Sequence, residues 1–226
     1  MPLRRECGEL RCTQKLEAEA FRAGWRLVAG CDEVGRGALL GPLYAAAVIL
    51  DPAKPIRGLD DSKKLTARER ESLAREITEK AIAFQVASLT AAEVDALNVY
   101  EASRQGMIRA VLALDPVPQF ILTDAMTLER CADTTVFPIP YQAIIHGDAL
   151  SVSIAAASIM AKVARDAHLE KLNYLYPQYG LARNKGYGTP RHLKALAAYG
   201  PCAEHRKTYQ PVRGCLLPLF PLPYSV

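Results

Sequence analysis

Three apolar runs with strand character each stop at an acid, and this repeated ending constrains the chain more than any other feature. Leu27 to Asp32 is followed by Glu33, Phe120-Ile121-Leu122-Thr123 ends on Asp124, and Tyr141 to His146 is followed by Gly147-Asp148. Short apolar runs bounded by Gly, Pro or polar residues read as buried strands. In open sheets with crossover helices, residues just beyond the strands' carboxyl ends face one crevice, so these acids are able to converge. Clustered carboxylates repel and raise one another's pKa unless a cation neutralises them, and hard oxygen ligands select Mg²⁺ or Mn²⁺. Two such ions about 3.5 to 4 Å apart activate a water and steady the leaving oxygen in a phosphodiester displacement. Each acid alone reads equally well as a strand-end residue that caps a helix or turn. Three together point to metal-assisted phosphoryl chemistry.

Between and around these runs the pattern alternates. Leu16, Ala20 and Phe21 have helical spacing and suggest a short lead-in helix; the first strand run begins at Trp25, and Leu43 to Leu50 is a second strand closed by Asp51-Pro52. Thr66-Ala-Arg-Glu69 and Thr90-Ala-Ala-Glu93 have capping-box form ahead of helical runs, with Phe84 to Leu89 as a strand between them. A small-residue helix is expected from about Ser151 to Tyr174, another from Pro190 to Tyr199, and an irregular proline-broken tail from Pro211. Strands first, then strands alternating with helices, argue for an α/β chain with a mixed sheet flanked by helices. The boundaries expected are a lead-in over 1–26, a catalytic domain over 27–175, and a helical C-terminal region with its tail over 176–226.

A chain of 226 residues, half of them apolar, fits one sizeable domain with a small appendage. No stretch nears the roughly 18 uninterrupted apolar residues of a membrane span, and no apolar segment of signal-peptide form follows the basic start, so no membrane association and a cytoplasmic place are expected. The six cysteines show no C-x-x-C pair and read as free thiols. His146, His168, His192 and His205 have no ligand spacing and read as loop or helix-surface residues. Net charge is only +4, yet Lys162 to Arg213 holds ten Lys and Arg against Asp166, Glu170 and Glu204. That asymmetry suits an anionic partner such as nucleic acid, or else a solvated face.

Asp32-Glu33-Val34-Gly35-Arg36-Gly37 with Gly41-Pro42 resembles the opening signature of the ribonuclease HII family. So do Leu59-Asp60-Asp61-Ser62-Lys63-Lys64-Leu65, the run Ala155 to Asp166, Tyr176-Pro177-Gln178-Tyr179-Gly180, and Asn184-Lys185-Gly186-Tyr187-Gly188-Thr189. The likeness spans about Leu16 to Val212 in the family's order. It implies a ribonuclease H-like fold, a five-stranded mixed sheet flanked by helices with a small helical C-terminal domain. It also implies hydrolysis of RNA in RNA–DNA hybrids and nicking 5′ to a lone ribonucleotide in duplex DNA, leaving 3′-hydroxyl and 5′-phosphate ends, as in ribonucleotide removal and replication primer removal.

On the same resemblance, Asp32, Glu33, Asp124 and Asp148 match the four catalytic carboxylates that hold two divalent ions, Mn²⁺ or Mg²⁺, with Asp32 and Asp124 shared between them. Gly35, Arg36 and Gly37 match the element beside the ribose, and Tyr187 the substrate-sensing tyrosine. By themselves Gly35-Arg36-Gly37 reads as a turn and Tyr187 as a partly buried loop aromatic, although glycines do let backbone approach a 2′-hydroxyl and a tyrosine can stack on a nucleotide. Ser62, Lys63 and Lys64 precede a helix start suited to phosphate, or form an exposed turn. Lys162 and Arg165 either contact phosphates or cover a helix face, and Asp166 is expected to pair with basic neighbours. Two departures stand out: Asp124 is followed by Ala125 where the family has glycine, and the short lead and an aspartate as fourth acid separate the chain from ribonuclease HIII. A monomer is the expectation. The rival readings are a non-catalytic hybrid or duplex binder and a ribonuclease H-like nuclease acting on DNA junctions.

Overall fold

A computed structural model of the chain describes residues 12–129 and 135–216. The lead-in forms α1 (Lys15–Arg22), and the apolar runs form β1 (Val28–Val34), β2 (Leu43–Ile49), β3 (Ala83–Leu89), β4 (Phe120–Asp124) and β5 (Tyr141–Ile144). They make one sheet in the order β3-β2-β1-β4-β5. β1, β2 and β3 are antiparallel neighbours, while β4 runs parallel to β1 and β5 parallel to β4. The mixed five-stranded sheet expected above is therefore present, and the parallel half sets the carboxyl ends of β1 and β4 side by side.

Both capping boxes form. Thr66 and Glu69 exchange bonds at the start of α2 (Ala67–Lys80), and Thr90 and Glu93 at the start of α3 (Ala91–Leu97). α3 ends at Asn98, whose φ of 66° breaks the helix and whose side chain accepts from Tyr100 and Glu101 N–H to start α4 (Val99–Leu112). One residue thus ends one helix and caps the next, a division that the helical spacing did not show.

Alternation along the strands sorts the core into two faces. Ala29 and Cys31 of β1, with Ala45, Ala47 and Ile49 of β2, pack against Met107, Ile108 and Val111 of α4. On the other face Ala46 and Val48 meet Leu73 and Ile77 of α2 and the Ala155-Ala156-Ala157 stretch of α5 (Val152–Leu175). Small side chains bring α5 very near the sheet at Gly30, where a Cβ would stand 2.0 Å from the carbonyl carbon of Ser153. Asp32, two residues further along β1, faces the same helix.

The C-terminal part adds α6 (Leu181–Asn184), α7 (Pro190–Tyr199) and α8 (Gln210–Leu216). Leu40, Leu169, Leu172, Tyr179, Leu181 and Ala195 form its core, with Leu39, Leu196 and Val212 as a second cluster. The tail expected to be irregular from Pro211 is helical to Leu216 instead. Pro211 is the second residue of α8, where the missing N–H would have no partner anyway, and buried Val212 anchors the turn. Residues 217–226 lie outside the described part. Among the described residues no helix is long and apolar enough to cross a membrane.

Candidate metal centre and substrate cleft

Asp32 and Glu33 lie just before the last residue of β1, Asp124 ends β4, and Asp148 sits in a short 3-10 turn (Gly147–Ala149) after β5. Asp32, Asp124 and Asp148 each offer a carboxylate oxygen, and these atoms lie within 4.8 Å of one another. Asp32 and Asp148 are buried and Asp124 half-buried. Hydrogen bonds hold the set in place. Gly147 N–H donates to Asp124 Oδ1 at 2.8 Å and Glu33 N–H to Asp32 Oδ1 at 2.7 Å. A side chain on Gly147 would stand 2.6 Å from Ile154 Cδ1, so glycine lets this turn close against Asp124.

Glu33 stands beside the triad rather than in it. Its Oε1 accepts from Arg36 at 3.2 Å, and its Oε2 is buried with no hydrogen-bond partner. Burial first, then the charges of Glu33 and Asp124, pushes the Asp32 carboxyl well above the usual range. Burial also raises Glu33, against the pull of Arg36, and raises Asp124, against its bond from Gly147. Lys63 is the one ammonium bonded to the triad among the described residues: its Nζ is 2.9 Å from Asp148 Oδ2 and 3.8 Å from Asp61. Burial works against that ammonium, but the bond to Asp148 and the charges of Asp148, Asp61 and Asp32 outweigh it and raise its pKa. Hard oxygen donors that repel one another, one of them an orphan, suit a divalent ion, and the Lys63 ammonium neutralises part of that charge in its place.

The same cleft is lined by Gly35, Arg36, Gly37, Lys63, Ser158 and Tyr187. Tyr187 bridges Ala38 in antiparallel fashion, which brings its ring to 3.8 Å from the position of a Cβ on Gly37. Gly35 has φ +96°, and a Cβ there would meet Arg165 Nε at 2.3 Å, so only glycine fits.

Four residues read either as phosphate contacts or as turn and helix-face residues have the following partners. Ser62 is buried, its hydroxyl 3.0 Å from that of Ser158, which in turn bonds Asp32; it supports the triad from behind. Arg165 is fully buried, donating to the carbonyls of Pro42 and Lys185, with its guanidinium 5.5 Å from the Tyr187 ring centre. Lys162 pairs with Asp166 at 2.7 Å, on the side of α5 facing Arg70, which bears out the pairing expected for Asp166. Lys64 pairs with Asp60 at 3.3 Å.

Sequence reasoning missed Arg206, which is fully buried and donates to the carbonyls of Gly35, Arg36 and Gly41, joined by Tyr209 Oη on Arg36. It also put His192 and His205 at the surface, whereas both are buried, side by side. Helical spacing does carry a weak sign of His192, which lies one turn before Ala195 and Leu196 on the packed face of α7. Nothing in the sequence pattern marks Arg206.

A family model for ribonuclease HII matches residues 29–212. Curated relatives include ribonuclease HII of Solibacter usitatus, 48% identical over 206 residues that make up 91% of this chain and 87% of that protein. Another, ribonuclease HII of Geobacillus thermodenitrificans, is 51% identical over 89% of this chain and 75% of its own. Among solved structures, the ribonuclease H2 of Pyrococcus horikoshii is 28% identical with a TM-score of 0.71, covering 84% of this chain and 97% of that one. A ribonuclease HII solved with PCNA from Archaeoglobus fulgidus is 25% identical with a TM-score of 0.67, covering 82% and 96%.

Proposed function

Since the chain belongs to the ribonuclease HII family, we propose that its carboxylate cleft cuts RNA strands at a ribonucleotide in a hybrid or in duplex DNA, on the 5′ side, leaving 3′-hydroxyl and 5′-phosphate ends. The enzyme is a metal-dependent ribonuclease H. The observation that carries the reading is the convergence of Asp32, Asp124 and Asp148 within 4.8 Å, at the rim of a cleft that also holds Gly35, Arg36, Gly37 and Tyr187.

Asp32, Asp124 and Asp148 would hold two divalent ions, Mn²⁺ or Mg²⁺, with Glu33 turning in from Arg36 to complete the set. When bound, such ions supply positive charge for activating water and for stabilising the departing 3′-oxygen. Ser158, backed by Ser62, fixes the Asp32 carboxylate, and Gly147 N–H fixes Asp124, so neither must reorganise as charge develops. Gly35 and Gly37 leave room for backbone to approach a 2′-hydroxyl, and the Tyr187 ring closes the other side of that space. Lys63, seated on Asp148, is placed to pass from the acid to a phosphate. The basic excess of residues 176–226 binds the duplex. The protein works as a monomer in the cytoplasm.

The test is incubation of the purified protein with duplex DNA carrying one ribonucleotide, with Mn²⁺ or Mg²⁺ and with chelator. A metal-dependent nick 5′ to the ribonucleotide is expected. Binding without any nick would make the chain a hybrid binder, and cutting of all-DNA duplex would make it a junction nuclease.

A further inference from the structure

Behind Tyr187, away from the acids, His192 in the first turn of α7 and His205 in the turn before Arg206 are 0% and 1% exposed. Their Nε2 atoms are 3.2 Å apart, a distance at which one ring donates a hydrogen and the other accepts it. The outer bonds decide which. His192 Nδ1 lies 2.9 Å from the Tyr187 carbonyl oxygen, which can only accept, so this nitrogen carries a hydrogen. A neutral His192 then has a bare Nε2, and His205 must donate to it from Nε2–H. That leaves His205 Nδ1 as an acceptor, which fits the Cys202 N–H donating to it at 3.0 Å. All the bonds run one way, from Cys202 N–H through His205 and His192 to the Tyr187 carbonyl.

Burial lowers the pKa of both rings, and the neighbouring His192 helps to bring His205 down to about 4. The ring centre of Tyr179 lies 4.7 Å from that of His205, the two rings nearly perpendicular, and 5.8 Å from that of His192, closing the pair off. A bridge between Leu40 and His205 lies two residues from the bridge between Ala38 and Tyr187. Both ends of the relay are therefore tied to the segment that follows Gly35-Arg36-Gly37.

We propose that His192 and His205 are positioning residues whose one-way hydrogen-bond relay sets the height of Tyr187 over the cleft and, through it, discrimination of a ribose from a deoxyribose. This rests on Tyr187 being the residue beside the ribose. Neither histidine touches substrate. Their effect passes through the Tyr187 backbone, where the carbonyl is also bound by Thr189 N–H at 2.8 Å.

Two measurements test it, and the first needs no activity. Nitrogen-15 NMR of the histidine rings at neutral pH should show His192 protonated at Nδ1 and His205 at Nε2. The opposite tautomers, or a charged His192, overturn the relay even if the enzyme cuts as expected. The second is kinetic. His192→Leu should lower kcat on single-ribonucleotide duplex about tenfold with KM little changed, and should add less than about twofold in a Tyr187→Ala background, as two residues acting through one contact do. His192→Asn, whose amide reaches the Nδ1 position, should restore most of the loss, and His192→Gln, which reaches the Nε2 position, should not. If His192→Leu fails to fold, the Asn and Gln variants decide alone. Losses that multiply in the double variant, equal behaviour of Asn and Gln, or a Tyr187→Ala enzyme with unchanged ribose preference each overturn the proposal. Absence of nicking by the unaltered protein would instead strike the ribonuclease reading, leaving the tautomer result standing.

Discussion

Replacing Asp32 by Asn should make the metal-free protein more stable while removing its activity. The carboxylate oxygens of Asp32, Asp124 and Asp148 lie within 4.8 Å of one another, and at an effective dielectric constant of about 20 two unit charges at that separation repel by roughly 3.5 kcal/mol. Lys63 on Asp148 offsets part of this, as do the bonds that Asp32 accepts from Glu33 N–H and Ser158. About 2 kcal/mol should remain, and Asn keeps both the shape and the acceptor oxygen. For a domain of 226 residues that is a rise in Tm of about 4 to 8 °C in chelator at pH 8. The sign with pH follows from the raised pKa of Asp32: the penalty is present where the folded carboxyl is ionised and fades as falling pH protonates it. The variant's advantage should therefore be largest at alkaline pH and shrink towards pH 4. Saturating Mn²⁺ should reverse the order, because a ligand at about 100 times its Kd adds roughly 2.7 kcal/mol to whichever form binds it. Differential scanning calorimetry with chelator and with Mn²⁺ reads all of this. A variant that melts below the unaltered protein in chelator at pH 8 would refute the account of the acids as mutually strained.

Gly30→Ala should cost about 3 kcal/mol or more and abolish nicking, since the new Cβ meets Ser153 backbone at 2.0 Å and α5 has to move away from the sheet; an unchanged urea midpoint would contradict it. Ala125 has φ 50°, a conformation that costs an L-residue about 1 to 2 kcal/mol, whereas glycine loses about 0.4 to 1 kcal/mol through its freer unfolded chain. Ala125→Gly should accordingly raise Tm by about 2 °C, and a fall in Tm would show the turn to be unstrained. For His205, whose folded pKa of about 4 lies below the ordinary value of 6.5, the unfolded chain takes up a proton that the folded form refuses. Stability is then lost as pH falls from 6.5 to 4, by about 3 kcal/mol at most. The stability difference between the unaltered protein and His205→Gln should shrink over that window; a constant difference in urea titrations would rule this out.

The sheet was legible because its signals are local. Short apolar runs and terminal acids located β1, β4 and β5, and the Thr66 and Thr90 capping boxes named two helix starts to the residue. The break at Asn98 was not, since a positive φ at a residue between two helical runs leaves no trace in spacing. At the site, the acids could be read from strand ends, yet Glu33 faces Arg36 rather than the triad, because neighbours along a strand point to opposite faces. Arg165 looked like a surface cation on an Ala-rich helix. Its burial depends on Gly35 and Gly186, at which added Cβ atoms would stand 2.3 Å from Arg165 Nε and 2.3 Å from Leu40 O respectively. Such long-range fits are fixed by packing between distant segments, and no local pattern encodes them.

Charge is distributed here in a way that folding alone would not favour. Arg165 and Arg206 are both fully buried, and among the described residues neither has a carboxylate within ion-pairing distance. Nearby, the four acids Asp32, Glu33, Asp124 and Asp148 share one cleft, and among the described residues Lys63 and Arg36 are the cations paired with them. Pairing the arginines with the acids would relieve both. The chain instead points each guanidinium at carbonyls, Arg206 at those of Gly35, Arg36 and Gly41 and Arg165 at those of Pro42 and Lys185. Burial brings Arg165 down to about 10, which still leaves it charged at neutral pH. The two cations thereby hold together the glycine loop and the Tyr187 loop and place unneutralised positive charge beneath them, where a phosphate backbone would lie. Among the described residues Asp32 and Asp124 have no ion-pair partner and await a cation that folding does not supply. A divalent ion at the acids and a phosphate backbone over the arginines would each relieve one of these frustrations, and because the two sites adjoin we expect occupancy of the two to be mutually reinforcing.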